Sequence, residues 1–308
     1  MKYKDWLSEW LEDYVKPTTK IRTYERYREL SAHIDREIGE YEIKELSPCL
    51  LQKKVGNLLK RGNLKTGGIL SPSTVNAIIS VIQSSLKTAF VNELIEVYSA
   101  DKIKRPKITG KTIESFSLSE QKAIENAVLD AKKTKLIGIV LCLYTGLRIG
   151  ELLALEWTDI DFTKGVIYVS KSCHYGHNEK GEYLRFIDTP KTHNSLRDIP
   201  LPKQLIPILK KHRKNSTCKF VVAERGGPVA IRSYQRSFEL LQKKLRIKRR
   251  GFHALRHTFA TRAIECGMDV KTLSEILGHK NSATTLNRYV HSLIEHKAKM
   301  MNQIGKLL

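Results

Sequence analysis

The sequence is poor in the features that would place it outside the cell or in a membrane. Its five cysteines (Cys49, Cys142, Cys173, Cys218, Cys266) are odd in number and scattered, with no C-x-x-C pair. Neither a disulfide framework nor a zinc ribbon is therefore indicated. No stretch approaches the ~18 consecutive apolar residues of a membrane span. The longest apolar run, Leu136 to Tyr144, suits a buried core helix. The N-terminus, MKYKDWLSEW, is charged and amphipathic, without a signal-peptide core or cleavage site. A cytoplasmic location is expected. There is also no P-loop G-x-x-x-x-G-K-[ST] and no acidic cluster fit for a two-metal nuclease, so no cofactor is expected.

Negative charge is scarce too. Against 54 Lys+Arg stand 32 Asp+Glu, a net charge of +22. Residues 1–110 carry 19 basic and 14 acidic side chains (+5), and residues 111–308 carry 35 and 18 (+17). That excess is far beyond the roughly 2–8 usual for a small soluble domain. It points to a polyanionic partner, most commonly nucleic acid. Basicity alone does not separate DNA from RNA or from an anionic membrane.

A length of 308 residues suggests two compact domains, and 41% apolar with 28% charged residues is ordinary for folded protein. The first part predicts an all-α bundle. Trp6, Leu7, Trp10, Leu11 and Tyr14 recur at helical spacing until Pro17, and a second helix spans about Thr19 to Ile38, ending at Gly39. Ser47-Pro48 and Ser71-Pro72 open a third and a fourth, serine as N-cap and proline at the first helical position. The basic stretch Ala100 to Ser115, with Pro106 and Gly110, predicts an exposed linker. Domain limits of 1–105, 106–115 (linker) and 116–308 follow. The capping box Ser117-Leu118-Ser119-Glu120 opens the second domain. That domain is predicted to be mixed α+β, mainly helical, with helices over about Leu118–Ala131 and Lys135–Tyr144. A small antiparallel sheet is expected from Gly165–Val169, Glu182–Asp188 and Leu196–Leu201, with helices returning to the C-terminus.

Several stations in this second domain could carry chemistry. Cys173, His174 and His177 lie within five residues, but zinc needs a fourth ligand, and the surrounding glycines with Asn178 predict a hairpin loop. Arg148 lies between Gly146 and Gly150, where an unencumbered backbone can approach a ligand; alone it reads equally as a surface arginine paired with Glu151. Lys191 falls in a turn, where lysines are ordinarily just solvated. In His253-Ala254-Leu255-Arg256-His257, positions 253, 256 and 257 share a helix face. Ala254 stands where a zinc protease needs Glu, so a proton-transfer group beside an arginine clamp fits better, with His257 a core histidine. Gly278 ends a helix and presents His279. Nothing local separates Tyr289 from the other eleven tyrosines.

Order and spacing give these stations their force. The phrases TGLRIGELLAL, TPKTHNSLRDIPL, HALRHTFAT and LGHKNSATTLNRYVH, spanning about Thr145 to His291, resemble those of the tyrosine recombinases of the phage-integrase family. The N-terminal bundle resembles that family's SAM-like core-DNA-binding domain in architecture. The resemblance implies a catalytic set of Arg148, Lys191, His253, Arg256, His279 and Tyr289. The two arginines would hold the scissile phosphate, and Tyr289 would attack phosphorus. His253 would act as base, Lys191 would protonate the departing 5′ oxygen, and His279 would hydrogen-bond the phosphate or the nucleophile. Glu151 would orient the loop of Arg148.

The resemblance also implies partners. These are double-stranded DNA recombination sites, a homo-tetramer on DNA and an accessory directionality factor; no membrane is involved. The apolar stripe Met300, Met301, Ile304, Leu307 and Leu308 would dock either on its own domain or in a neighbouring protomer. Because the bundle begins almost at Met1, no arm-site-binding domain is expected before it. A tyrosine-type topoisomerase and a catalytically silent DNA-binding regulator are the competing readings.

Overall fold

The computed structural model describes residues 1–108, 114–131, 134–178, 181–188, 196–278 and Met301. It divides into two compact units, residues 1–111 with 176–182, and residues 112–175 with 183–308.

The first unit is a helical bundle. Its elements are α1 (Tyr3–Glu9), which continues as a π-helical turn over Trp10–Val15, α2 (Ile21–Ile38), α3 (Pro48–Arg61) and α4 (Pro72–Val91). The aromatic stripe of α1 is buried against α4, with its polar handles satisfied. Tyr3 Oη lies 2.6 Å from Ser85 Oγ, Trp6 Nε1 donates to the Ser85 carbonyl, and Trp10 Nε1 donates to Thr88 Oγ1. Buried aromatics need such partners because an unmet N–H or O–H is costly away from water. Ser47 and Ser71 cap α3 and α4 through the N–H groups of Leu50 and Thr74, each with proline at the first helical position, as expected from the sequence. By length and composition α4 could cross a membrane. In the fold, Val75, Ile78, Ile79, Val81, Ile82, Leu86 and Ala89 make its apolar face the spine of the bundle core.

The stretch after α4 differs from the expected exposed linker. Ala100 and Ile103 are buried in the bundle core. Asn76 Nδ2 donates to the Pro106 carbonyl, and the Arg105 guanidinium donates to the Asn76 carbonyl, Ser80 Oγ and Gln83 Oε1. The burial of Ala100 and Ile103 and these hydrogen bonds hold the segment on the bundle despite its basic composition.

The second unit begins at Phe116, whose ring enters the core while its N–H donates to Thr258 Oγ1 and its carbonyl accepts from Arg262. Ser117 and Glu120 form the expected reciprocal capping box of α5 (Leu118–Leu129). Helix α6 (Ile137–Thr145) is buried on every side from Ile137 to Leu143, as an all-round apolar helix must be. After α7 (Ile149–Ala154), strands β1 (Ile160–Asp161), β2 (Val166–Val169) and β5 (Arg197–Pro200) form an antiparallel sheet in the order β1-β2-β5. Its register pairs Ile167 with Ile199 and Val169 with Arg197. Strands β3 (Ser172–His177) and β4 (Tyr183–Asp188) form a separate pair. Helix α8 (Leu205–Lys214), the short strands β6 (Ala223–Glu224) and β7 (Gly227–Pro228), and helices α9 (Ile231–Lys244), α10 (His253–Glu265) and α11 (Val270–Leu277) follow, α10 packing along α6.

The Cys173–His177 stretch expected to be loop is thus strand β3. Successive side chains on a strand point to opposite faces, so the cluster does not converge. Cys173 enters the core, while His174 stacks on Phe186 and lies 3.6 Å from the Asp188 carboxylate.

Candidate active site

The C-terminal end of α11 organises the site. The last carbonyls of a helix have no intrahelical partner and carry the negative end of its dipole, so cations complement them. Three arginines do so here on three consecutive carbonyls. Arg197 Nε donates to Ile276 O at 2.6 Å, Arg256 Nη2 to Leu277 O at 2.6 Å, and Arg148 Nη2 to Gly278 O at 3.0 Å. Gly278 closes the helix in a left-handed conformation, φ 62° and ψ 47°.

Each arginine arrives on a different element. Arg148 is the N-cap of α7. Its N–H and its Nη1 both donate to the Glu151 carboxylate, at 2.9 and 2.8 Å. Arg256 lies on the first turn of α10, is only 2% exposed, and donates a second hydrogen bond to Gly146 O at 2.8 Å. Arg197 lies on β5, in the same inward phase as Ile199, with its side chain 6% exposed. Its two terminal nitrogens donate to Glu151 at 3.1 and 2.8 Å.

Glu151, on α7, therefore serves two guanidinium groups at once. Burial pushes its carboxyl up, but the Arg197 hydrogen bonds and the charges of Arg197 and Arg148 outweigh this and bring it down to about 2. It is a fixed carboxylate across the neutral range. A group held ionised in this way cannot act as a proton donor, and its oxygens accept from the Arg148 backbone and guanidinium.

The two glycines flanking Arg148 work differently from an open backbone facing a ligand. Gly146 caps α6 with φ 65°, and a Cβ there would stand 2.6 Å from Phe259 Cδ1 and 2.8 Å from Leu277 Cδ2. A Cβ at Gly150 would meet Ser172 Oγ at 2.6 Å and the Cys173 carbonyl at 2.7 Å. Both glycines permit close packing, of α6 on α10 and α11 and of α7 on β3. The turn that carries Arg148 is thereby held against the end of α11.

Among the expected site residues, Arg148 and Arg256 come together at this helix end. His253 is the first residue of α10, exposed, less than one turn from Arg256, and its ring meets that of buried His257 edge-on at 4.9 Å between centroids. Lys191, His279 and Tyr289 lie outside the described residues, as do Met300, Ile304, Leu307 and Leu308 of the C-terminal stripe; Met301 is exposed. Arg197 was missed by the sequence reading, although it stands in the quoted phrase TPKTHNSLRDIPL. The available signal was strand alternation, which puts an arginine on the same face as Ile199.

A cluster of guanidinium groups at one helix end, with an imidazole on the adjacent turn, can bind a tetrahedral anion and support charge developing on it. Comparison with known proteins fits this chemistry. Residues 116–296 match the phage integrase family, and residues 2–59 match the phage integrase N-terminal SAM-like domain. The chain is 30% identical to a tyrosine recombinase XerC-like protein of Caldanaerobacter subterraneus subsp. tengcongensis, over 98% of this chain and 81% of that protein. It is 25% identical to the ICEBs1 integrase of Bacillus subtilis, over 89% and 76% of the two chains. Among solved structures, the Tn1549 transposon integrase in complex with a circular intermediate DNA aligns over 99% of both chains, with a TM-score of 0.82 and 24% identity. The lambda integrase tetramer bound to a Holliday junction aligns over 92% of this chain and 78% of that one, with a TM-score of 0.69 and 18% identity.

This site, in a chain that matches both family domains, defines a DNA-rearranging enzyme of the tyrosine recombinase class. The chain belongs to the phage integrase family.

Proposed function

We propose that the chain cuts and rejoins double-stranded DNA at specific recombination sites through a covalent 3′-phosphotyrosine at Tyr289. The observation that carries this reading is the meeting of Arg148 and Arg256 at the end of α11, from which the chain runs directly into His279. Two planar guanidinium forks can hold the non-bridging oxygens of one phosphate and the charge that grows on them. The Tyr289 oxygen forms a bond to phosphorus as the bond to the 5′ oxygen breaks. His253 takes the phenol's proton, Lys191 supplies one to the departing oxygen, and His279 hydrogen-bonds the phosphate or the nucleophile. Only about one phenol in a thousand is ionised at neutral pH, so this assistance is needed, and proton transfer of this kind contributes roughly 10²–10⁴ in rate. The covalent bond conserves the free energy of the phosphodiester, so religation requires neither ATP nor a metal.

On this reading residues 1–105 form a core-DNA-binding domain, 106–115 a linker and 116–308 the catalytic domain. Lys102, Lys104 and Lys107 remain exposed for phosphate contact, whereas Arg105 is engaged by α4. Four protomers assemble on DNA through the C-terminal tail, and an accessory factor sets direction.

Tyr289→Phe tests the assignment. The variant is expected to bind its DNA site normally and to give no protein–DNA adduct on a nicked suicide substrate in denaturing electrophoresis. An adduct of undiminished yield would place the nucleophile elsewhere.

A further inference from the structure

The described residues hold one buried cation that the proposed mechanism does not use yet that touches its machinery from two sides. Arg197 donates to the Glu151 carboxylate through both terminal nitrogens and to Ile276 O through Nε. We infer that Arg197 is a positioning residue for strand cleavage, locking Glu151 and the last turn of α11 so that Arg148 and Arg256 address a single phosphate. The inference rests on the reading of Arg148 and Arg256 as the phosphate clamp.

Geometry carries it. Arg148 and Arg256 are each tied to α11 by one carbonyl bond, at Gly278 and Leu277. Neither bond fixes the helix end against the sheet. Arg197 does, because β5 is registered on β2 by backbone pairing from Val166–Pro200 to Val169–Arg197. Its three donors span a carboxylate on α7 and a carbonyl on α11, which a lysine's single ammonium cannot reproduce with the same fork. The same carboxylate accepts two bonds from Arg148. Displacing Glu151 therefore displaces the first arginine of the clamp, and loosening Ile276 loosens the turn against which the second one rests.

A purely structural arginine would affect folding and binding together. A positioning arginine should separate binding from chemistry and change the pH response. Among the described residues, the charged and titratable groups facing Glu151 are Arg148 at the start of α7, Arg197 on β5, and the Cys142 thiol on α6, with Arg256 on α10 facing that thiol. Without Arg197, burial raises the Glu151 carboxyl with only Arg148 to oppose it. Its protonation then shifts upward, toward the assay range.

The experiment uses the full chain, a nicked suicide substrate carrying its recombination site, and single-turnover cleavage at saturating protein. For Arg197→Met, DNA affinity is expected to stay within about twofold while cleavage falls roughly 30- to 100-fold, the scale of one or two lost charge-assisted bonds. A loss of cleavage on acidification that the native protein does not show is expected, and Glu151→Gln on the Arg197→Met background should remove it. Should Arg197→Met not fold, Arg197→Lys keeps a cation beside Glu151 and carries the same test, with an expected loss of roughly tenfold at unchanged affinity. Native-like cleavage with a flat pH profile in a folded variant overturns the role of Arg197 while leaving the clamp reading intact. Failure of the native protein to form any adduct overturns both.

Discussion

Replacing Gly146 by alanine isolates the packing on which the arginine cluster depends. The residue has φ 65°, and a Cβ would stand 2.6 Å from Phe259 Cδ1, 3.1 Å from its Cε1 and 2.8 Å from Leu277 Cδ2. Leu277 is fully buried and cannot retreat. A left-handed L-residue costs about 1–2 kcal/mol. Overpacking a filled site adds about 1–3 kcal/mol. The sum, about 2–5 kcal/mol, is a large part of a typical domain's stability of about 5–15 kcal/mol. Gly267→Ala supplies the control, because Gly267 has φ 91° in the same unit but nothing within 4 Å of an added Cβ. It should lose only the conformational part. Native-state hydrogen exchange read on peptides from α6 and α10 measures both, since the slowest amides report opening of the whole unit. Gly146→Ala should lower protection by about 1–3 kcal/mol more than Gly267→Ala. It should also slow cleavage more than it weakens DNA binding, because the Gly146 carbonyl, like that of Leu277, accepts a hydrogen bond from Arg256. Equal losses in the two variants would refute the crowding by Phe259 and Leu277.

Three further outcomes are expected. Because the Glu151 carboxyl is depressed from 4.5 to about 2, its ion pairs contribute stability that is complete above the unfolded value and lost as the pH falls toward the folded one. The stability gap between the native protein and Glu151→Gln, followed by urea unfolding, should accordingly be full at neutral pH and shrink from about pH 4.5 downward; a gap that persists into strong acid would contradict this. DNA affinity should fall steeply with salt, by roughly 10³-fold or more between about 50 and 200 mM if six or more phosphates are contacted, and salt-insensitive binding in a titration would rule out a binding surface dominated by phosphate contacts. Deleting residues 293–308 should leave single-site binding in gel shifts intact while impairing synapsis and recombination, and full recombination by the truncated chain would remove the tail from the assembly interface.

Much of the architecture was legible in the residues themselves because it is local. The serine–proline pairs at Ser47 and Ser71, the capping box at Ser117, and the glycine closing α11 act over three or four residues, and each stands where it was expected. The apolar run from Ile137 to Leu143 could only be satisfied inside a core, and it forms the buried helix of the second unit. Motif order also indicated the family and pointed to Arg148 and Arg256 as partners, although the resemblance rather than local chemistry paired them.

What tertiary structure alone decided is non-local. Cys173 and His174 looked like neighbours in a loop until strand pairing sent their side chains to opposite faces. Ala100 and Ile103 looked like linker until the bundle offered them a core. Arg197 carried no assignment from the sequence, and nothing within its own segment identifies Glu151 and Ile276 as its partners. Those contacts exist because sheet register, a glycine-permitted helix approach and the end of α11 coincide in space. Backbone preferences act across a few residues and can be read from the chain, whereas the convergence of three arginines on one helix terminus is a property of the packed fold.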